Sequence, residues 1–273
     1  MSSHHSHGKL FTDLRPDQLE QTLAEAPVAY VPWGALEWHS VHLPLGLDGI
    51  LASCIAERAV ARTGGVVLPP MYLPVTALPH RFSVSFRAQT VRAVLDDLFA
   101  ELARIGFRVV VVLSGHYAQG HELVLIDAAE HAIAHYGLLV LSLPPMALLG
   151  EEYLDHAGRW ETAQLLATRP DLVDLRLLIR ALEQYPAGHV GDLGILGELP
   201  LTATAGSGEV LIEQALDGLT TWVGQLLGSG DPQPLHALYA RRRSAYQSFV
   251  ERYFHGSYEE AATVWWADRV KRD

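Results

Sequence analysis

Short apolar runs alternate with longer amphipathic ones through the first half of the chain. Residues 28–33 form a compact apolar run and predict a strand; residues 48–63 predict a helix, and residues 65–69 a second strand. Residues 90–105 predict a helix, because Val94, Leu95, Leu98 and Leu102 recur on one helical face. Residues 108–113 predict a third strand, and their unbroken run Val109-Val110-Val111-Val112-Leu113 suits a strand covered on both faces. Residues 121–136 then predict a helix and residues 138–143 a fourth strand. This rhythm predicts an α/β fold, a mainly parallel sheet with helices on both faces. In such a sheet, functional residues gather beyond the C-terminal ends of the strands. Residues 184–208, rich in glycine and proline, read as a long loop, and residues 209–228 and 233–253 as C-terminal helices. Nothing marks a repeat or a boundary, so residues 1–273 read as a single domain with residues 1–10 as a flexible tail.

Composition narrows the function. Hydrophobic residues make up 49% of the 273 and charged residues 19%, a globular balance. The net charge is −11, and the densest basic run, Arg241-Arg242-Arg243, falls on a predicted helix as a solvated face, which argues against nucleic acid. Cys54 is the sole cysteine, so no intrachain disulfide forms. The tail carries His4, His5 and His7, whose metal affinity would be adventitious without a fold to fix their geometry. It lacks the apolar core of a signal peptide, and no apolar run reaches membrane-spanning length; the expected setting is cytoplasmic.

The chemistry concentrates in three segments. After the first strand, residues 34–48 carry Glu37, His39, His42 and Asp48, with Pro44 and Gly46 marking a loop. In an extended segment Glu37 and His39 point to one side. Carboxylates and imidazoles together suit a divalent metal, although Asp48 also stands where a helix N-cap is favoured and the histidines could be surface groups. The third strand runs into Ser114-Gly115-His116-Tyr117, putting His116 at the expected active edge. After the fourth strand, residues 155–162 carry His156 and Glu161, readable as a base and a ligand or as solvated loop residues.

In order and spacing, these three segments resemble the signature of the creatininase family: Glu-x-His-x-x-His-Leu-Pro-x-x-x-Asp, then Gly-His after an apolar strand, then His-x-Gly-x-x-Glu-Thr. Residues 194–205 are similar to the family's Gly-rich segment before its late helix, so the resemblance covers about residues 28–228. It implies a creatininase-like three-layer sandwich and a site for two divalent metal ions, zinc in the first place, manganese or iron as alternatives. By resemblance, Glu37, His39, Asp48, His116 and Glu161 are the ligands, with Asp48 bridging, and His156 is the catalytic histidine. Tyr117 matches a substrate-contacting aromatic, and Trp160 is a second candidate for that contact. The implied activity is hydrolysis of a C–N bond in a small cyclic amide or formamide by a metal-bridging hydroxide, with His156 donating the proton. The resemblance also implies a homo-oligomer, hexamers being common, for which Tyr253, Phe254, Tyr258, Trp265 and Trp266 offer surface.

The chain departs from the family pattern at four places. Ser40 and Ser114 stand where glycine and asparagine are usual, and Ala118 where creatinine-cleaving members have a metal-site glutamate. The substrate-loop pattern is replaced by Val75-Thr76-Ala77-Leu78-Pro79-His80-Arg81-Phe82. Two consequences are expected: one metal site weaker than the other, and a substrate other than creatinine. A binding protein of the same fold without turnover is the alternative. A phosphoesterase is disfavoured, since Arg159 is the sole basic side chain within the motifs.

Overall fold

The structure, a computed structural model, describes residues 9–184 and 190–270. His4, His5 and His7 lie outside the described residues, as do residues 185–189 of the stretch read as a loop. Five strands, β1 (Val28–Gly34), β2 (Val66–Val67), β3 (Met71–Tyr72), β4 (Val109–Ser114) and β5 (Leu139–Leu143), make one sheet. Its order is β2-β1-β4-β5, with β3 also on β1, and each pairing is parallel. Every residue of β1, β4 and β5 is buried, which is why their sequences are apolar throughout instead of alternating. Pro32 lacks an N–H for a sheet ladder. It sits where β1 exchanges one outer neighbour for another: Ala29 and Tyr30 pair with β2, Trp33 and Gly34 with β3.

The helices are α1 (Pro16–Glu25), α2 (Leu47–Thr63), α3 (Ala88–Ile105), α4 (Gln119–Tyr136), α5 (Arg159–Thr168), α6 (Leu175–Gln184), α7 (Ala205–Ser229), α8 (Gln233–Ala245), α9 (Gln247–Tyr253) and α10 (Tyr258–Val270). α3 packs with α4, and α2 and α5 with α7, giving the helix layers about the sheet. α3 buries Val91, Leu95, Phe99 and Leu102, the i, i+4 stripe of an amphipathic helix. None of the helices among the described residues is long and apolar enough to cross a membrane.

The segment read as a long loop is shorter than expected. α7 begins at Ala205, where the Thr204 hydroxyl accepts from the Ser207 N–H (3.1 Å), an N-cap of ordinary kind. The predicted helix 233–253 breaks into α8 and α9 at Tyr246. α8 closes the sheet's β5 edge: Tyr239 is fully buried, accepts from Ser142 N–H (3.0 Å) and donates to the Val140 carbonyl. An edge so covered offers no template for another strand.

Candidate metal centre and active-site cavity

The chain leaves the C-terminal ends of β1 and β4 directly into the chemistry-bearing loops. Glu37 and His39 follow β1, His116 follows β4, and Asp48 lies in the first turn of α2. Asp48 does not cap that helix. Gly46 occupies the cap, and Asp48 turns inward, its Oδ2 accepting from the Ala35 N–H (3.2 Å). Glu161 lies in the first turn of α5, fully buried.

These five side chains converge. His116 Nδ1 lies 2.9 Å from Glu37 Oε2 and 3.3 Å from Asp48 Oδ2. His39 Nε2 lies 2.8 Å from Asp48 Oδ1 and 3.8 Å from Glu161 Oε2. Two three-residue sets result, Glu37–Asp48–His116 and His39–Asp48–Glu161, each with its candidate ligand atoms within 4.8 Å of one another. Asp48 belongs to both, one carboxylate oxygen towards each set.

The tautomers follow from the outer nitrogens. His39 Nδ1–H donates to the Glu37 carbonyl (3.0 Å), and His116 Nε2–H donates to the Val75 carbonyl (3.2 Å). A carbonyl only accepts, so in the neutral ring the other nitrogen of each histidine presents a lone pair inward. Glu37 Oε2, His39 Nε2 and Asp48 Oδ1 are buried without a hydrogen-bond partner. Lone pairs that close together are tolerated when a proton or a cation lies between them. In the metal-free protein it is a proton. Burial opposes it, but Asp48, Glu161 and Glu37 raise His39 to about 10, and Glu37 and Asp48 hold His116 well above its usual value. Burial drives Glu161 well up, whereas the histidines hold Glu37 and Asp48 down against burial. Oxygen and imidazole donors of this kind fit zinc, manganese or iron.

Backbone geometry sharpens the site. Ser40 (φ 58°), Thr76 (φ 60°) and Ala157 (φ 50°) take left-handed conformations next to His39, Val75 and His156. Such strain persists where the surroundings over-determine it. Gly115 has no alternative: a Cβ there would lie 2.0 Å from the Asp48 carbonyl oxygen. The Gly-His pair therefore lets the end of β4 press against the start of α2, which puts His116 beside Asp48.

His156 stands over His39 with ring centroids 4.3 Å apart. Its Nε2–H donates to the Trp38 carbonyl (3.0 Å), and its backbone exchanges two hydrogen bonds with Leu196 (3.0 and 2.9 Å). Burial and the charge on His39 lower it to about 4, so it is neutral at pH 7. Glu37, His39 and His156 make a third set within ligand reach.

Several buried groups about the site have roles that the sequence does not assign. His121 Nδ1 accepts from the Val75 N–H (3.1 Å) while the Val75 carbonyl holds His116, so His121 and His116 are linked through the backbone of a single residue. His42 Nε2 bonds Thr162 Oγ1 (3.1 Å), tying the first motif to α5. Asp155 accepts from the backbone N–H groups of Trp160 (2.7 Å) and Glu161 (3.1 Å), and burial pushes it up to about 7. His42 and Asp155 lie inside the first and third motif segments, whereas the partner of His121 is 46 residues away in sequence.

A cavity of about 440 Å³ opens on Glu37, His116 and His156 and is also lined by Leu78, Tyr117 and Ala118. Trp160 is not among its lining residues; it packs on Tyr153 (centroids 5.1 Å) beneath the Arg159 guanidinium (4.4 Å). Trp38 stacks on His80 (4.1 Å) from the altered substrate loop.

The sequence model of the creatininase family, described as creatinine amidohydrolase, matches residues 12–223. The chain belongs to the creatininase family. It is thereby a member of a family of hydrolases. It is 28% identical over 227 residues to the creatinine amidohydrolase of Pseudomonas putida, covering 70% of this chain and 86% of that one. It is 28% identical over 242 residues to the mycofactocin precursor peptide peptidase of Mycolicibacterium smegmatis, covering 80% and 92%. A crystal structure of creatininase superposes with a TM-score of 0.68 at 23% identity, covering 80% of this chain and 97% of that one, and so shows the fold. Creatininase has been solved in manganese and zinc forms. Ser40, where the family pattern has glycine, occupies a backbone conformation that glycine adopts without strain.

Proposed function

We propose that this creatininase-family hydrolase cleaves a C–N bond in a small cyclic amide or formamide at a site for two divalent ions. The observation that carries this reading is the sharing of Asp48 between two buried ligand sets. Glu37 and His116 complete one, His39 and Glu161 the other. Zinc, manganese or iron bound there would acidify a water and polarise a carbonyl group.

The chain's own groups supply the rest. The backbone carbonyls of Glu37 and Val75 lock His39 and His116 in the ligating tautomer. His156, neutral with its Nε2–H committed to Trp38, keeps Nδ1 to take up a proton and pass it to the leaving nitrogen. Tyr117, half-buried on the cavity wall, orients the amide plane. The Trp38–His80 stack screens the site from water. Ala118 adds no carboxylate, so one ion is held less tightly than the other. A cytoplasmic homo-oligomer completes the reading: Leu36, Val41 and Leu45, each 40% exposed near the motif, are apolar surface for a second copy.

Metal analysis followed by a panel of lactams, formamides and cyclic ureas tests this. Unequal uptake of two ions, with turnover of at least one amide, is the expected result. Absence of bound metal, or two equally tight ions, would overturn the corresponding part. Sedimentation showing only a 30.0 kDa species would dispose of the oligomer.

A further inference from the structure

The family match ends at residue 223, but the cavity does not. Tyr246, Phe249, Ala262, Trp265 and Trp266, from α9, α10 and the junction before them, line the same cavity as Glu37, His116 and His156. This part of the wall lies wholly beyond the matched region.

The wall is held in place. Arg242 donates to both carboxylate oxygens of Glu122 (2.7 and 2.9 Å) in the first turn of α4, two residues past the cavity-lining Gly120. Glu122 is fully buried, and the Tyr246 hydroxyl donates to it as well. Arg243 reaches Asp127 (2.7 Å) and Glu130 (2.6 Å) on the same helix. Phe249, Tyr253 and Ala261 form a small core of their own, against which Trp265 packs. Trp265 and Trp266 stay half-buried, with ring centroids 6.1 Å apart. Rings already seated on a cavity wall have less freedom to lose on binding.

The charge of the cavity is acidic away from the ligand sets. At the ligand end Glu37 faces His116, but Glu151 and Glu152 line the outer part, and no lysine or arginine lines the cavity among the described residues. Arg242 engages Glu151, whereas Glu152 is exposed and belongs to neither ligand set. An anionic substrate would meet repulsion there, while a neutral or cationic one would not.

We infer that the C-terminal aromatic wall is the specificity element of the site, binding an aromatic ring, uncharged or cationic, carried by the amide that is cleaved. This rests on the hydrolase reading for the cleavage step and on the cavity alone for the binding. A flat ring seats against Trp265 and Trp266 by offset or edge contacts, and a positive charge on it gains from both the indole faces and Glu152.

The test uses full-length protein and matched formamides: N-methyl, N-benzyl and N-(para-carboxybenzyl). Calorimetric titration of metal-free protein should show N-benzylformamide binding about tenfold more tightly than the N-methyl compound, with the carboxylate weakening it again. In metal-loaded enzyme the benzyl-to-methyl ratio of kcat/KM should fall about tenfold in Trp266→Ala. Trp266→Leu, which keeps bulk and removes the ring, serves if the alanine variant fails to fold. Equal binding of methyl and benzyl compounds, or an intact ratio in the variants, would overturn the inference. A binding preference without turnover of any amide supports the wall and sinks the hydrolase reading; turnover without a ring preference does the reverse.

Discussion

His39 Nε2 and Asp48 Oδ1 face each other across 2.8 Å, and neither atom has a hydrogen-bond partner other than the opposing one. The His39 ring is fixed by its Nδ1–H on the Glu37 carbonyl, so whatever lies between the two atoms is either a proton or a cation. The predictions at the metal centre follow from that exchange.

Metal uptake should release protons near pH 7 and strengthen as pH rises. The folded, metal-free protein holds His39 protonated up to about 10, above its ordinary 6.5, so metal must displace that proton throughout the range. Its contribution to metal-free stability is fully present below 6.5 and is lost as pH rises through 10. Asp48, held below 3.8, contributes above that value and loses its contribution as pH falls through its folded pKa. Zinc titration in weakly buffered solution with a pH indicator checks the sign. Uptake without proton release, or affinity independent of pH, contradicts it.

His156→Ala should keep the metal content and lower kcat by about 10²–10⁴-fold, the usual worth of general acid–base catalysis. Asp48→Ala should instead lose metal first, because both ligand sets lose their shared member. Metal analysis of the two purified variants separates the roles. Because His156 also stands within ligand reach of Glu37 and His39, metal loss in His156→Ala would make it a ligand.

Ser40→Gly should raise the melting temperature. The residue sits at φ 58°, where a Cβ costs about 1 kcal/mol, and its buried hydroxyl has no partner. The gain is limited by glycine's greater freedom when unfolded. Thermal unfolding of the metal-free protein measures the difference, and a lower melting temperature would refute the strain argument.

Arg242→Met should destabilise the fold by about 3–5 kcal/mol, since it leaves Glu122 charged and fully buried without its guanidinium. Adding Glu122→Leu should recover much of that loss. Denaturant melts of both variants test the pair, and a single substitution with less than about 1 kcal/mol effect would show the pair to be weakly coupled.

The periodicity of the chain was enough for the strands and the helices between them, and for the edge of the sheet where function would lie. Uninterrupted apolar runs such as residues 109–113 suit only a position covered on both sides, and β4 occupies it. The three motifs were equally legible, because ligand types and spacings are local properties. The two-residue β3 is too short to carry a periodic signal, and α10, of mixed pattern, is held by what it packs on, whereas α1 and α6 are amphipathic stretches whose own pattern suits a helix. α7 starts four residues before the predicted 209 because its glycine-rich beginning, Ala205-Gly206-Ser207-Gly208, has the composition of a loop. There Gly208 instead permits close packing on α5, where a Cβ would lie 1.9 Å from the Ala163 carbonyl oxygen.

What the sequence determined by itself was therefore the inventory: which strands, which ligand types, and the order in which they occur. What only the tertiary structure decided was pairing between residues far apart in the chain. The spacing of Asp48 and Glu161 cannot say that both face His39, and nothing near His121 says that it holds Val75. Nor does the C-terminal composition tell whether its aromatics face another subunit or the chain's own cavity. Trp265 and Trp266 line that cavity, while Arg242 and Tyr246, from the same C-terminal part, engage Glu122 across 120 and 124 residues. Such contacts form only once burial has brought the partners together, and burial is a property of the whole fold.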